Sequence, residues 1–160
     1  MDELFQAVRR LHAEYGRRVQ LDLVGFFEDE YREKVEQLTA DGIAVFHGFQ
    51  SDPRPFYANA DCVVLPSYHE GMSNVLLEAA ASGRCIVTSD IPGCREAVDD
   101  GTSGFLCRPG DADSLTEQLR RVLSLPRETL REMGVNGHNK IRELFEKHRV
   151  VNMTVDRINE

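Results

Sequence analysis

The sequence predicts an α/β fold, a Rossmann-like doubly wound parallel sheet within a single domain. Three observations predict it. Short apolar runs alternate with longer helical stretches, glycine, proline and Asp-Gly signals separate them, and 160 residues are enough for one domain with a real core. Ligands of such sheets sit beyond the carboxyl ends of the strands, so the loops that follow strands are where function is sought.

The elements follow in order. Leu4, Val8 and Leu11 share one face of a helix over residues 2–15 that ends near Gly16. Residues 19–24 read as a strand ending at Gly25, residues 31–39 as a polar helix, and Asp41-Gly42 as a turn. A short strand over 43–47 and a short helix over 53–59 precede the apolar run Cys62-Val63-Val64-Leu65, which reads as a buried strand. Residues 66–73 form a loop, and Asn74 to Ser82 form a helix rich in Leu and Ala. Strands over 85–88 and 104–107 come next, then a helix over 112–124. A helix over 127–145 is expected to be interrupted near Gly134 to Gly137, and a last helix covers 148–158. Repeats and low-complexity tracts are absent from the sequence.

Composition narrows the function classes. A formal charge of −8 opposes broad binding to nucleic acid or to an anionic membrane face, and Arg9-Arg10 with Arg17-Arg18 reads as a solvated helix end. The sequence shows no apolar run long enough to span a bilayer and no segment with the pattern of a secretory signal, so the expected location is the cytoplasm. Cys62, Cys85, Cys94 and Cys107 contain no C-x-x-C pair and no histidine at ligand spacing. They read as small buried hydrophobes in a reducing compartment, with neither a zinc site nor a disulfide framework. A Walker loop, a G-x-G-x-x-G and a convincing Ser/His/Asp order are all missing from the sequence.

The stretch Pro66-Ser67-Tyr68-His69-Glu70-Gly71-Met72-Ser73-Asn74-Val75-Leu76-Leu77-Glu78 carries the chemistry. Helix N-termini present amides without intrahelical partners, and together with the helix dipole these attract phosphate. Gly71 allows close backbone approach, and Ser73 is placed to cap the helix. A diphosphate there would leave Glu70 near one end of the ligand and Glu78 near the other. Carboxylates accept hydrogen bonds from vicinal hydroxyls, so one could hold a sugar ring and the other a ribose. His69 reads as an ordinary loop side chain.

This stretch resembles the Glu-x7-Glu signature of the group-1 family of retaining glycosyltransferases, enzymes of the GT-B fold. Downstream, Cys85 to Val98, with Pro92-Gly93-Cys94-Arg95-Glu96, then Gly101 and Gly104-Phe105-Leu106, are similar to that family's strand, glycine turn and G-x-x-E segment. Upstream, Phe56-Tyr57-Ala58-Asn59-Ala60-Asp61 resembles its short helix. The resemblance implies the donor-binding, C-terminal half of such an enzyme. Glu70 would be the catalytic-site carboxylate that holds hydroxyls of the donor sugar, and Glu78 would hold the ribose. The amides of Gly71, Met72 and Ser73 would face the sugar, and those of Asn74 and Val75 the diphosphate. Glu96 lies in a matching segment whose role varies within the family. The resemblance further implies a nucleotide-diphosphate sugar as donor, no cofactor and no metal. The acceptor, a glycan or lipid-linked, would be reached through a second domain, and a full-length protein would sit in the cytoplasm, peripheral at the inner membrane.

Other readings of the same residues stay open: a nucleotide-sugar epimerase of the same fold, and a non-catalytic nucleotide-sugar binding module. The sequence departs from the family pattern at its start. It begins inside what should be the first helix of the domain, so the preceding strand and its basic residues have no counterpart here. In a doubly wound sheet that strand is central. Its lack is expected to leave unpaired strand edges, with marginal stability, a rearranged sheet, or edge pairing in a homodimer as the result.

Overall fold

The computed structural model describes residues 1–26 and 29–158, with side chains as far as Leu144. The described residues form five parallel strands, β1 (Leu21–Val24), β2 (Ala44–Gly48), β3 (Cys62–Leu65), β4 (Cys85–Ser89) and β5 (Gly104–Cys107). Helices α1 (Asp2–Tyr15), α2 (Arg32–Ala40), α3 (Arg54–Asn59), α4 (Asn74–Ala81), α5 (Ala112–Ser124) and α6 (Arg127–Ile158) alternate with them, except that only a 3₁₀ turn lies between β4 and β5 and that α5 and α6 follow one another.

The strands fall into two ladders, β1–β2 and β3–β4–β5, all pairs parallel. Among the described residues β1 and β3 share no ladder. They do share a core, because Leu21 and Leu23 of β1 and Cys62 and Val64 of β3 pack against one cluster that contains Leu4, Val8 and Leu11 of α1. The interruption therefore lies between β1 and β3, where a doubly wound sheet would place its central strand. Along β3 every residue is only half-buried, whereas all five residues of β4, paired on both sides, are buried.

Side chains of the three-stranded ladder alternate between two cores, as a sheet covered on both faces requires. Cys62, Val64, Cys85, Val87, Phe105 and Cys107 face the cluster built with α1 and α5. Val63, Leu65, Ile86 and Leu106 face a second cluster with Leu76, Ala79 and Ala80 of α4 and Ile141 of α6. Each fully buried Leu or Ile here contributes about 1.5–3 kcal/mol relative to exposure. Burial also pushes the Cys107 thiol up to about 11, in keeping with its part as a packed apolar side chain.

Helix α1 is built by its own spacing. Leu4, Phe5, Ala7, Val8 and Leu11 are buried, Asp2 and Glu3 favour the positive end of the dipole, and Gly16, at φ +61°, ends the helix. Its outer face meets α5 through Arg120, which donates to Glu14 at 2.8 Å, and through an Arg10–Asp113 pair. Helix α5 starts at Asp111, whose carboxylate accepts the Ser114 amide at 2.8 Å. That bond and Arg108 hold its carboxyl below the usual range.

The expected interruption near Gly134 to Gly137 is not found, because α6 runs unbroken from Arg127 to Ile158. The reason is close packing. A Cβ on Gly134 would lie 2.0 Å from the Gly83 carbonyl oxygen, so this glycine admits the turn after α4 against the helix. The expected last helix, over 148–158, is the end of the same α6.

Candidate functional site

The loop from Pro66 to Ser73 leaves the carboxyl end of β3 and enters α4. Its shape is set at three points. The Ser67 hydroxyl donates to Glu70 Oε1 at 2.9 Å, the Tyr68 hydroxyl donates to Glu3 of α1, and the Ser73 amide donates at 3.4 Å to the Gly93 carbonyl. Tyr68, His69, Glu70 and Gly71, with Ile91 and Pro92 from the loop after β4, line an open cleft of about 500 Å³. None of these cleft residues is a Lys or Arg.

The second loop braces the first. Gly93 has φ +89°, and a Cβ on it would lie 1.8 Å from the Gly71 carbonyl oxygen and 2.5 Å from that of Glu70. The two backbones touch with nothing between them. Glu96, in a 3₁₀ turn over Arg95–Ala97, accepts the Gly93 amide at 2.6 Å. Its carboxylate is thus engaged with the loop backbone. Arg95 pairs with Asp90 at 2.9 Å, which closes the same turn.

Helix α4 presents its N-terminus beside this cleft. Ser73 occupies the N-cap position and is buried, but its side chain makes no capping bond, contrary to the capping role expected from its residue type. The first amides of the helix, those of Asn74 and Val75, accordingly lack a side-chain cap. Asn74 and Val75 are exposed, as are Glu70, Gly71 and Met72. A carboxylate, a glycine backbone and an uncapped helix end therefore share one accessible surface.

Glu78 lies on α4, exposed, and accepts from the Tyr57 hydroxyl of α3 at 3.1 Å. Tyr57 is 8% exposed, and burial, followed by the neighbouring Glu78 carboxylate, pushes its phenol up to about 12 from an ordinary value of 10.0. The folded chain holds this proton more tightly than the unfolded chain does. The resulting stability is fully present below pH 10 and is lost as the pH rises towards 12. At pH 11.5 the unaltered chain should have lost about 2 kcal/mol of stability that Tyr57→Phe never had to lose. Urea midpoints of both proteins at pH 8 and 11.5 measure it, and parallel declines would refute it.

Sequence reasoning placed both glutamates and the helix end on this surface. Tyr57 and Gly93 fall within the segments that resemble the family, where residue type alone assigns them no role. Their signals, an aromatic in a short helix and a glycine after proline, are common ones. Among the described residues no group of three or more His, Cys, Asp or Glu side chains is arranged to hold a metal ion, and no helix is long and apolar enough to cross a membrane.

A family model described as glycosyl transferases group 1 matches residues 1–125. An MMP alpha-(1->4)-mannosyltransferase of Mycolicibacterium hassiacum is 36% identical over 160 residues, 97% of this chain and 38% of the relative. A capsular polysaccharide biosynthesis glycosyltransferase, CapM of Staphylococcus aureus, is 30% identical over 149 residues, 89% of this chain and again 38% of the relative. The chain thus spans well under half the length of the curated relatives it matches. Among solved structures, S. aureus TarM, crystallised with Fondaparinux, alpha-GlcNAc-glycerol and UDP, superposes with a TM-score of 0.86 at 18% identity, over 99% of this chain and 32% of that one. That likeness is one of fold, and it matches the α/β arrangement of parallel strands and helices seen here.

Proposed function

The chain belongs to the group 1 glycosyltransferases, and on that premise we propose that residues 1–160 form the donor-binding half of a retaining enzyme. The reaction is transfer of a sugar from a nucleoside diphosphate to a glycan or lipid-linked acceptor in polysaccharide or cell-envelope glycan synthesis. One observation carries this reading: Glu70, the uncapped N-terminus of α4 and Glu78 lie along a single loop and helix, braced from behind by Gly93. Glu70, oriented by Ser67, takes hydroxyls of the sugar. The backbone of Gly71, Met72 and Ser73 faces that sugar, and the amides of Asn74 and Val75 meet the diphosphate as negative charge builds on the leaving group. Glu78 takes the ribose.

No cofactor or metal enters this mechanism, since helix amides supply the electrostatic stabilisation. The acceptor and the cations that neutralise the diphosphate come from outside these residues, so the isolated chain binds nucleotide weakly and transfers nothing. The full-length enzyme works in the cytoplasm, peripheral at the inner membrane. UDP is the first nucleotide to try, because a relative in fold was crystallised with it.

Calorimetric titration of the chain with UDP, GDP and their sugar conjugates, beside Glu78→Ala, tests the reading. One nucleotide should saturate, and the substitution should weaken it about tenfold or more, as expected for hydrogen bonds to a charged group. Equal affinity in Glu78→Ala, or no saturation of the folded chain at millimolar nucleotide, would refute it.

A further inference from the structure

We propose that Tyr57 is a positioning residue for nucleotide recognition, holding the Glu78 carboxylate in the orientation that meets the two ribose hydroxyls. The inference rests on the donor-site reading above and extends it to a residue on another helix.

Tyr57 and Glu78 stand 21 positions apart, on α3 and α4, and the phenol donates to Oε2 at 3.1 Å. The ring is immobilised, since Tyr57 belongs to the cluster that contains Leu76 and Ala79 of α4 and Ile86 of β4. Helix α3 is held from its other side as well, where the Phe56 ring lies 4.8 Å from that of His47 at the end of β2. An exposed glutamate on a helix samples several rotamers, and ordering it costs free energy when a ligand binds. Here the carboxylate is tied to a rigid donor before any ligand arrives. Among the described residues the Tyr57 hydroxyl is the only side-chain donor to Glu78. A carboxylate has about four lone-pair sites, so one bond to the phenol leaves capacity for a vicinal diol.

A plainer account is that Glu78 merely satisfies a buried phenol. The two accounts differ in what removing the hydroxyl does to ribose recognition. Tyr57→Phe keeps the buried ring and deletes only the donor. Titration with UDP should show affinity lower by about threefold to tenfold, the cost of ordering one side chain on binding. Titration with 2′,3′-dideoxy-UDP, which offers Glu78 no diol, should show no change. In a Glu78→Ala background, Tyr57→Phe should leave UDP affinity unaltered, because the group it positions is gone.

Three outcomes overturn the inference. If Glu78→Ala weakens UDP but Tyr57→Phe does not, Tyr57 does not position the carboxylate and the donor-site reading survives. If Tyr57→Phe weakens UDP and the dideoxy analogue alike, or weakens UDP in the Glu78→Ala background, its role is structural. If Glu78→Ala leaves UDP binding intact, the donor-site reading fails and the inference falls with it.

Discussion

Gly93→Ala is expected to lower the melting temperature by about 6–12 °C and to abolish nucleotide binding, given that about 3 kcal/mol of destabilisation shifts a domain of this size by that much. Two costs combine. At φ +89° an alanine pays about 1–2 kcal/mol of backbone strain. Its Cβ would also sit 1.8 Å from the Gly71 carbonyl oxygen, a separation that no rotamer change can relieve because both atoms belong to the main chain or its first carbon. The loop after β4 cannot simply retreat. Its Gly93 amide is held by Glu96 at 2.6 Å and its Gly93 carbonyl accepts from Ser73. The Glu70–Gly71 segment must then move, and with it the surface proposed to hold the sugar. Thermal melts and a UDP titration on the same sample check both parts. An unchanged melting temperature with unchanged affinity would show that the two loops are not braced as described.

The second large effect sets two opposing terms against each other in α6. Alanine in place of a helical glycine is worth about 1 kcal/mol of propensity, so Gly134→Ala and Gly137→Ala should both stabilise if nothing else acts. They are expected to diverge. A Cβ at 134 would lie 2.0 Å from the Gly83 oxygen and 2.6 Å from its carbonyl carbon, so α6 must be pushed off the turn after α4. Overpacking of this kind costs about 1–3 kcal/mol, and contact with backbone puts Gly134→Ala at the upper end, for a net loss of about 2 kcal/mol. At 137 the nearest atoms are Ser103 Cβ at 3.6 Å and Ala80 Cβ at 3.8 Å, ordinary contact distances. That variant should gain up to about 1 kcal/mol. Urea midpoints of the two alanine variants decide it, and equal stabilisation would show that the helix does not depend on the close approach.

The same pair of glycines explains where sequence reasoning stopped. A glycine is used both to end a helix and to let two backbones meet, and the spacing around Gly134 and Gly137 does not distinguish these uses. Only the position of Gly83 does, 51 residues earlier in the chain. Local elements were legible because local rules govern them. The strands at Cys62 and Gly104 and the helix at Ala112 have the predicted bounds, since apolar runs, glycines and an Asp cap mark them directly. Glu70 and Glu78 were legible as a pair because a single loop and helix carry both. Tyr57 was not, because its bond crosses from α3 to α4 and only tertiary packing brings the two together. The buried side chain of Ser73 had the residue type of a cap without the geometry of one. The sheet is divided rather than rearranged, since the strands keep their ordinary order, and the place of the division between β1 and β3 follows from topology rather than from any residue.

That separation has a consequence for how the molecule comes apart. A ladder of two strands is marginal on its own, and one of three with both faces covered is not. Strands β1 and β2 therefore owe their persistence to the helices against them, above all to Leu4, Val8, Leu11, Val35 and Leu38 of α1 and α2. Loosening those helices opens β1–β2 as one cooperative unit, while β4, bonded on both sides and buried throughout, keeps its neighbours in place. The Glu70–Glu78 surface, carried by the loop and helix after β3, stands on the three-stranded ladder, which a separate hydrophobic cluster backs on each face.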